Sequence, residues 1–83
     1  MPVVLSAEAQ EMILRLPKIV RLRLRNMFAD LDGWPAVSGA KPLRGNLVGW
    51  YRKRTGDYRV IFRVVGNTVF VEKIGHRRDV YEE

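Results

Sequence analysis

The sequence predicts a small α+β domain in which a short N-terminal strand and a helical hairpin pack on one face of a small antiparallel β-sheet. Three observations carry this. Apolar residues recur at three and four spacing as far as Leu31, and they alternate with polar ones from Trp50 onward. The pairs Gly56-Asp57 and Gly66-Asn67 punctuate the alternating part at hairpin distances.

Taken in order, Val3, Val4 and Leu5 form the short apolar start. Ser6 is an N-cap, followed by Glu8 and Glu11, acids that the positive end of a helix dipole favours. A first helix is expected from about Ala7 to Arg15. Pro17 suits the first position of a second helix, because its missing N–H would have no intrahelical acceptor there. Ile19, Val20, Leu22, Leu24, Met27, Phe28 and Leu31 give that helix its apolar stripe, and Asp32-Gly33 stops it. Arg21 and Arg25, four apart, read as a solvated face.

Residues 33–49 hold two prolines and four glycines and read as an ordered loop, too short to separate two domains. Strands follow at Trp50 to Thr55, Tyr58 to Val65 and Thr68 to Ile74, an antiparallel meander. One domain over residues 1–83 is therefore expected, and a chain this short buries roughly 60 to 65% of the surface it exposes when unfolded.

Composition narrows the function classes. Cysteine is absent and there is one histidine, which leaves no disulfide, no thiolate zinc site and no histidine metal cluster; no metal or cofactor is called for. The hydrophobic share of 47% suits a folded chain, and the residues after Met1 lack both a basic leader and an apolar run of membrane-spanning length, so a cytoplasmic protein with no membrane role is expected. Net charge is +6, which favours a polyanionic partner. Residues 1–40 carry five Lys/Arg against four Asp/Glu, a balance of +1, whereas residues 41–83 carry ten against five, or +5. The excess belongs to the strand-forming half.

Strand parity places that charge. Tyr58, Val60, Phe62 and Val64 fall on one face as core, with Val64 opposite Val69 and Phe62 opposite Val71 if the second turn is two residues long. The other face receives Arg59, Ile61, Arg63, Phe70, Glu72 and Ile74. The first hairpin sets Arg54 directly against Arg59, with Arg52 on the same face and no acid in register between them. Like charges so placed repel, so three arginines together are either a merely basic, solubilising face or a phosphate cradle, for which the guanidinium fork is suited.

The ending Gly75-His76-Arg77-Arg78-Asp79-Val80-Tyr81 is expected to leave the third strand beside these arginines. A lone histidine is usually structural and a terminal tyrosine usually packs. Together with the arginines, however, they meet the needs of RNA cleavage: a base for the 2′-hydroxyl, cations for the phosphate, and an acid for the departing 5′-oxygen.

Over nearly its whole length the chain resembles the RelE/ParE toxin superfamily. The resemblance rests on the order of elements, the Pro42-Leu43-Arg44-Gly45 loop, the Tyr51-Arg52-Lys53-Arg54 strand, the hairpin from Gly56 to Phe62 and the ending from Gly75 to Tyr81. It implies a RelE-like fold and, in the RelE branch, a toxin that cleaves mRNA on the ribosome and is silenced by a cognate antitoxin. Carried over by residue, Arg52, Arg54 and Arg59 contact the phosphate, Arg77 assists the leaving group, and Tyr81 is the base. Lys41, Arg44, Lys53, Arg63 and Arg78 are expected to add RNA contacts. The sequence departs from the best-known RelE pattern in carrying arginines for the first-strand lysines and His76 for a lysine. A tyrosine, with a reference pKa of about 10, needs cationic surroundings to serve as a base, whereas imidazoles titrate near neutrality, so both Tyr81 and His76 stand as candidates. Two other readings remain: a ParE-type gyrase inhibitor without chemistry, which generally lacks the joint arginine, His and Tyr set, and a catalytically silent nucleic-acid-binding domain.

Overall fold

A computed structural model of the chain describes residues 1–76. Its elements run β1 (Val3–Leu5), α1 (Ala7–Leu14), α2 (Lys18–Leu31), β2 (Lys41–Pro42), β3 (Trp50–Thr55), β4 (Tyr58–Val65) and β5 (Thr68–His76). The five strands form one sheet in the order β1-β5-β4-β3-β2. The meander is antiparallel, while β1 pairs parallel with β5, so the sheet is mixed.

Ser6 joins the two layers. Its hydroxyl accepts from the Ala9 backbone N–H at 3.0 Å, capping α1, and donates to the Glu72 carbonyl at 2.8 Å. Its own backbone N–H reaches the Val71 carbonyl at 2.9 Å. The first turn of α1 is thereby anchored to the middle of β5. Pro17 stands one place earlier than expected, as the N-cap of α2 with extended ψ, and Asp32 is the C-cap.

Only part of the apolar stripe on α2 is buried. Val20, Leu24, Met27 and Leu31, at spacings of four, three and four, sit in the core with Val60, Phe62, Val69, Val71 and Ile74 from the sheet. Ile19 and Leu22 lie off that line and stay exposed. Phe62 stacks on Tyr51 at 5.6 Å between ring centroids, and Trp34 meets both rings edge-on at 4.7 and 5.5 Å, closing one end of the core.

The hairpin registers agree with strand parity: Arg54 opposes Arg59, Phe62 opposes Val71, and Val64 opposes Val69. Gly56 and Gly66 each adopt φ +59 at the first position of their turns, the positive value that a two-residue turn of the II′ kind requires there.

Three expectations need correction. The loop over residues 33–49 contains a strand, Lys41–Pro42, paired with Arg52 and Tyr51. Proline in that strand fits its place on the sheet edge, where no ladder donor is needed. Secondly, Ile74 belongs to the core, 1% exposed, and not to the arginine face. The register between β4 and β5 shifts at Ile61/Phe62: Phe62 pairs with Val71 but Ile61 pairs with Lys73, leaving Glu72 as the extra residue of a β-bulge. That one residue inverts the parity of everything after it. Thirdly, β5 continues two residues beyond Ile74, bringing His76 opposite Tyr58.

Candidate nucleic-acid interface

The sheet face turned away from the helices is built in rows across the strands. One row sets Arg54 of β3 against Arg59 of β4, with Gly75 of β5 beyond. The next holds Lys41, Arg52, Ile61 and Lys73, contributed by four neighbouring strands. The third is Trp50, Arg63 and Phe70. Arg54 is exposed and Arg52 and Arg59 are half-buried on these first two rows. A shallow pocket of about 310 Å³, lined by Gly39, Lys41, Arg52, Lys53 and Arg54, opens at the β2 edge. Its lining is cationic, suited to an anion of phosphate size.

Of the residues singled out from the sequence, Arg52, Arg54, Arg59, Arg63 and Lys41 share this face by register. Lys53 does not. It alternates to the opposite side, paired with Val60 of the core, and its Nζ donates to the Ser38 carbonyl at 2.6 Å. It also lines a cleft of about 320 Å³ between β3 and the α2 residues Arg23, Asn26, Met27 and Asp30. Arg44 is exposed in the loop after β2.

His76 corrects a further expectation. With the bulge at Glu72, parity puts it on the side of Tyr58 and Ile74, while Gly75 takes the position opposite Arg59. Its ring meets Tyr58 edge-on at 5.5 Å. The histidine thus joins the helix-side packing instead of the arginine row. Arg77, Arg78 and Tyr81 lie outside the described residues.

Arg63 has its partners on the same face. Its Nε donates to a Glu72 carboxylate oxygen at 2.6 Å, and its guanidinium lies over Phe70 at 5.0 Å and Trp50 at 5.7 Å. Phe70 and Glu72 were expected on this face by parity, and Trp50 is the residue whose part in it the sequence reading missed. The position of Trp50, two residues before Arg52 in a strand, was sufficient to place it there.

A two-helix layer on a mixed five-stranded sheet whose outer face is arginine-rich defines a small toxin-like α+β class, and comparison with known proteins agrees. Residues 3–81 match the family model described as ParE toxin of type II toxin-antitoxin system, parDE. Toxin RelG of Mycobacterium tuberculosis is 36% identical over 67 residues, spanning 78% of this chain and 76% of the relative. The toxin–antitoxin complex RelBE2 of the same organism contains a chain that superposes with a TM-score of 0.78 at 30% identity, over 94% of this chain and 92% of that one. The isolated Escherichia coli RelE toxin shares the fold with a TM-score of 0.77 at 23% identity, covering 90% of this chain and 82% of its own. The chain belongs to the ParE toxin family of type II toxin–antitoxin systems, and within the RelE/ParE superfamily it is RelE-like.

Proposed function

We propose that this toxin is an endoribonuclease that cuts mRNA in the ribosomal A site without a metal ion. The observation that carries the reading is the row Arg54–Arg59 with Arg52 beside it, three guanidinium groups gathered on one sheet face, each a planar fork suited to bidentate contact with a phosphate.

In the reaction the 2′-oxygen of a nucleotide attacks the adjacent phosphorus and the bond to the 5′-oxygen breaks, leaving a 2′,3′-cyclic phosphate and a free 5′-hydroxyl. A base takes the 2′-hydroxyl proton and an acid supplies one to the 5′-oxygen. Arg52, Arg54 and Arg59 stabilise the charge that builds on the non-bridging oxygens, Arg77 assists the leaving group, and Tyr81 is the base. The edge contact with Tyr58 favours Tyr81 over His76 for that task, since His76 is directed by register away from the arginine row.

The partner that silences the protein is a cognate antitoxin, in keeping with the RelB–RelE complexes among the similar structures, such as that of Pyrococcus horikoshii at 26% identity. It covers the basic face with acidic side chains or displaces the Tyr81 segment. A cytoplasmic single-domain protein suits this role, and no helix among the described residues is long and apolar enough to cross a membrane.

Induction in cells with mapping of mRNA ends tests the reading: cuts within codons, each leaving a cyclic phosphate, are expected. The family model's ParE description gives the rival reading, a gyrase inhibitor without chemistry. Intact mRNA together with arrested, cleaved DNA would establish that rival.

A further inference from the structure

The Trp50, Arg63, Phe70 row has no part in the proposed chemistry, yet its side chains are tied to one another by ring and ion-pair contacts. Three strands contribute one residue each, and the guanidinium is fixed between two half-buried rings by the Glu72 carboxylate. Holding Arg63 in an ion pair cancels its charge while leaving 39% of its side chain exposed. The patch it completes is therefore π-rich and close to neutral, next to rows that carry the basic side chains. A phosphate gains little on such a surface, whereas a nucleobase, with a π-face and no net charge, gains a stacking partner.

Spacing supports the same assignment. The aromatic row lies four residues along β3 from Arg54, which at the usual strand rise is about 13 Å. A nucleic-acid strand covers that distance in no more than about four stacked nucleotides at roughly 3.4 Å each, and in fewer when its bases are splayed. One short stretch of single strand can therefore place a phosphate on Arg52, Arg54 and Arg59 and a base on Trp50 at the same time.

We infer that the Trp50–Arg63–Phe70 layer is a nucleobase-stacking subsite for a nucleotide close to the phosphate held by the arginines. The inference rests on the nucleic-acid reading of the basic face, but not on its being catalytic. It makes Trp50 and Phe70 substrate-positioning residues, with Glu72 holding the Arg63 guanidinium against both rings.

The test uses the whole protein and two four-nucleotide probes. One is a 2′-O-methyl oligoribonucleotide, which lacks the free 2′-hydroxyl needed for cleavage, and the other is an abasic chain with the same phosphates. The protein has two tryptophans, Trp34 and Trp50, so the indole N–H resonance of Trp50 is assigned with Trp50→Phe and followed during titration. Saturable movement of that resonance is expected with the base-bearing probe, which should bind roughly five- to a hundredfold more tightly than the abasic chain, the range that one stacked base supplies. Trp50→Leu, at a half-buried site that tolerates another apolar side chain, should erase that difference and leave abasic binding as it was. Phe70→Leu should narrow it.

Equal affinity for the two probes, or an equal loss for both in Trp50→Leu, overturns the inference. Cleavage of programmed ribosomes by the unaltered protein is measured in parallel. If cleavage occurs but the base preference is absent, the stacking subsite falls and the ribonuclease reading stands. Base preference without cleavage has the opposite meaning.

Discussion

Arg54 stands directly across the β3–β4 hairpin from Arg59, with Arg52 two residues along the same face. Opposed like charges cost a sheet some tenths of a kcal/mol, and under the proposed function the same pair would hold a phosphate. Arg54→Gln should leave stability unchanged or raise it by up to about 0.5 kcal/mol, because the exposed side chain loses only its repulsion. Cleavage on programmed ribosomes should nevertheless fall on the order of a hundredfold, as expected when one charge-stabilising donor is removed. Urea unfolding and single-turnover kinetics measure the two effects separately. A variant that is both less stable and fully active would show that Arg54 serves the fold.

Ribosome or RNA binding should weaken steeply with salt. Each phosphate neutralised on a single strand contributes about 0.7 to the slope of log K against log salt. If Arg52, Arg54 and Arg59 engage even two or three phosphates, affinity falls by roughly sevenfold to twentyfold when monovalent salt rises fourfold. Binding measured at 50 and 200 mM salt decides this, and an affinity insensitive to salt would point to a protein target such as gyrase.

The core offers a separate check. Phe62 is fully buried and holds Tyr51 and Trp34 by ring contacts. Phe62→Ala should cost about 3 to 5 kcal/mol, a large part of what a domain this small has. Ser6→Ala removes both a helix cap and the bond to the Glu72 carbonyl, and should cost about 1 to 2 kcal/mol. Thermal or urea unfolding measures both, and the order Phe62→Ala above Ser6→Ala is the firm expectation. A reversed order would mean that the aromatic cluster around Phe62 repacks without it.

Much of this fold was legible because hydrophobic period and turn chemistry are local signals. The two helices, the three meander strands and the pairing of Arg54 with Arg59 all follow from spacings within a few residues. Glu72 marks the limit. A bulge leaves no signature in alternation alone, and Val71, Glu72, Lys73 and Ile74 read equally well as an unbroken strand. The carbonyls of Val71 and Glu72 are taken by Ser6, a contact across 65 and 66 positions of chain that no local pattern reveals. Because side chains alternate with a period of two, that single inserted residue moved Ile74 into the core and turned His76 from the arginine row to Tyr58. The strand Lys41–Pro42 was hidden for another reason: two residues are too few to show a period.

The choice between Tyr81 and His76 as base gives the sharpest test, and the bulge bears on it directly. Since His76 packs edge-on against Tyr58 at 5.5 Å, on the side of the sheet opposite the arginines, His76→Gln should cleave within about fivefold of the unaltered protein. General acid or base groups contribute roughly 10² to 10⁴ in rate, and a group out of reach of the reacting atoms contributes none of it. Tyr81→Phe removes only the ionisable oxygen, so the loss should fall on the cleavage step: a reduction of at least about a hundredfold in the single-turnover rate, with ribosome affinity hardly changed. The pair of variants separates three outcomes. Loss in Tyr81→Phe alone assigns the base to the tyrosine. Loss in His76→Gln alone, without a change in unfolding, would require the end of β5 to rearrange on the ribosome so that the imidazole reaches the arginine face. Full activity in both would make the terminal motif structural and remove the chief support for proton transfer by this segment.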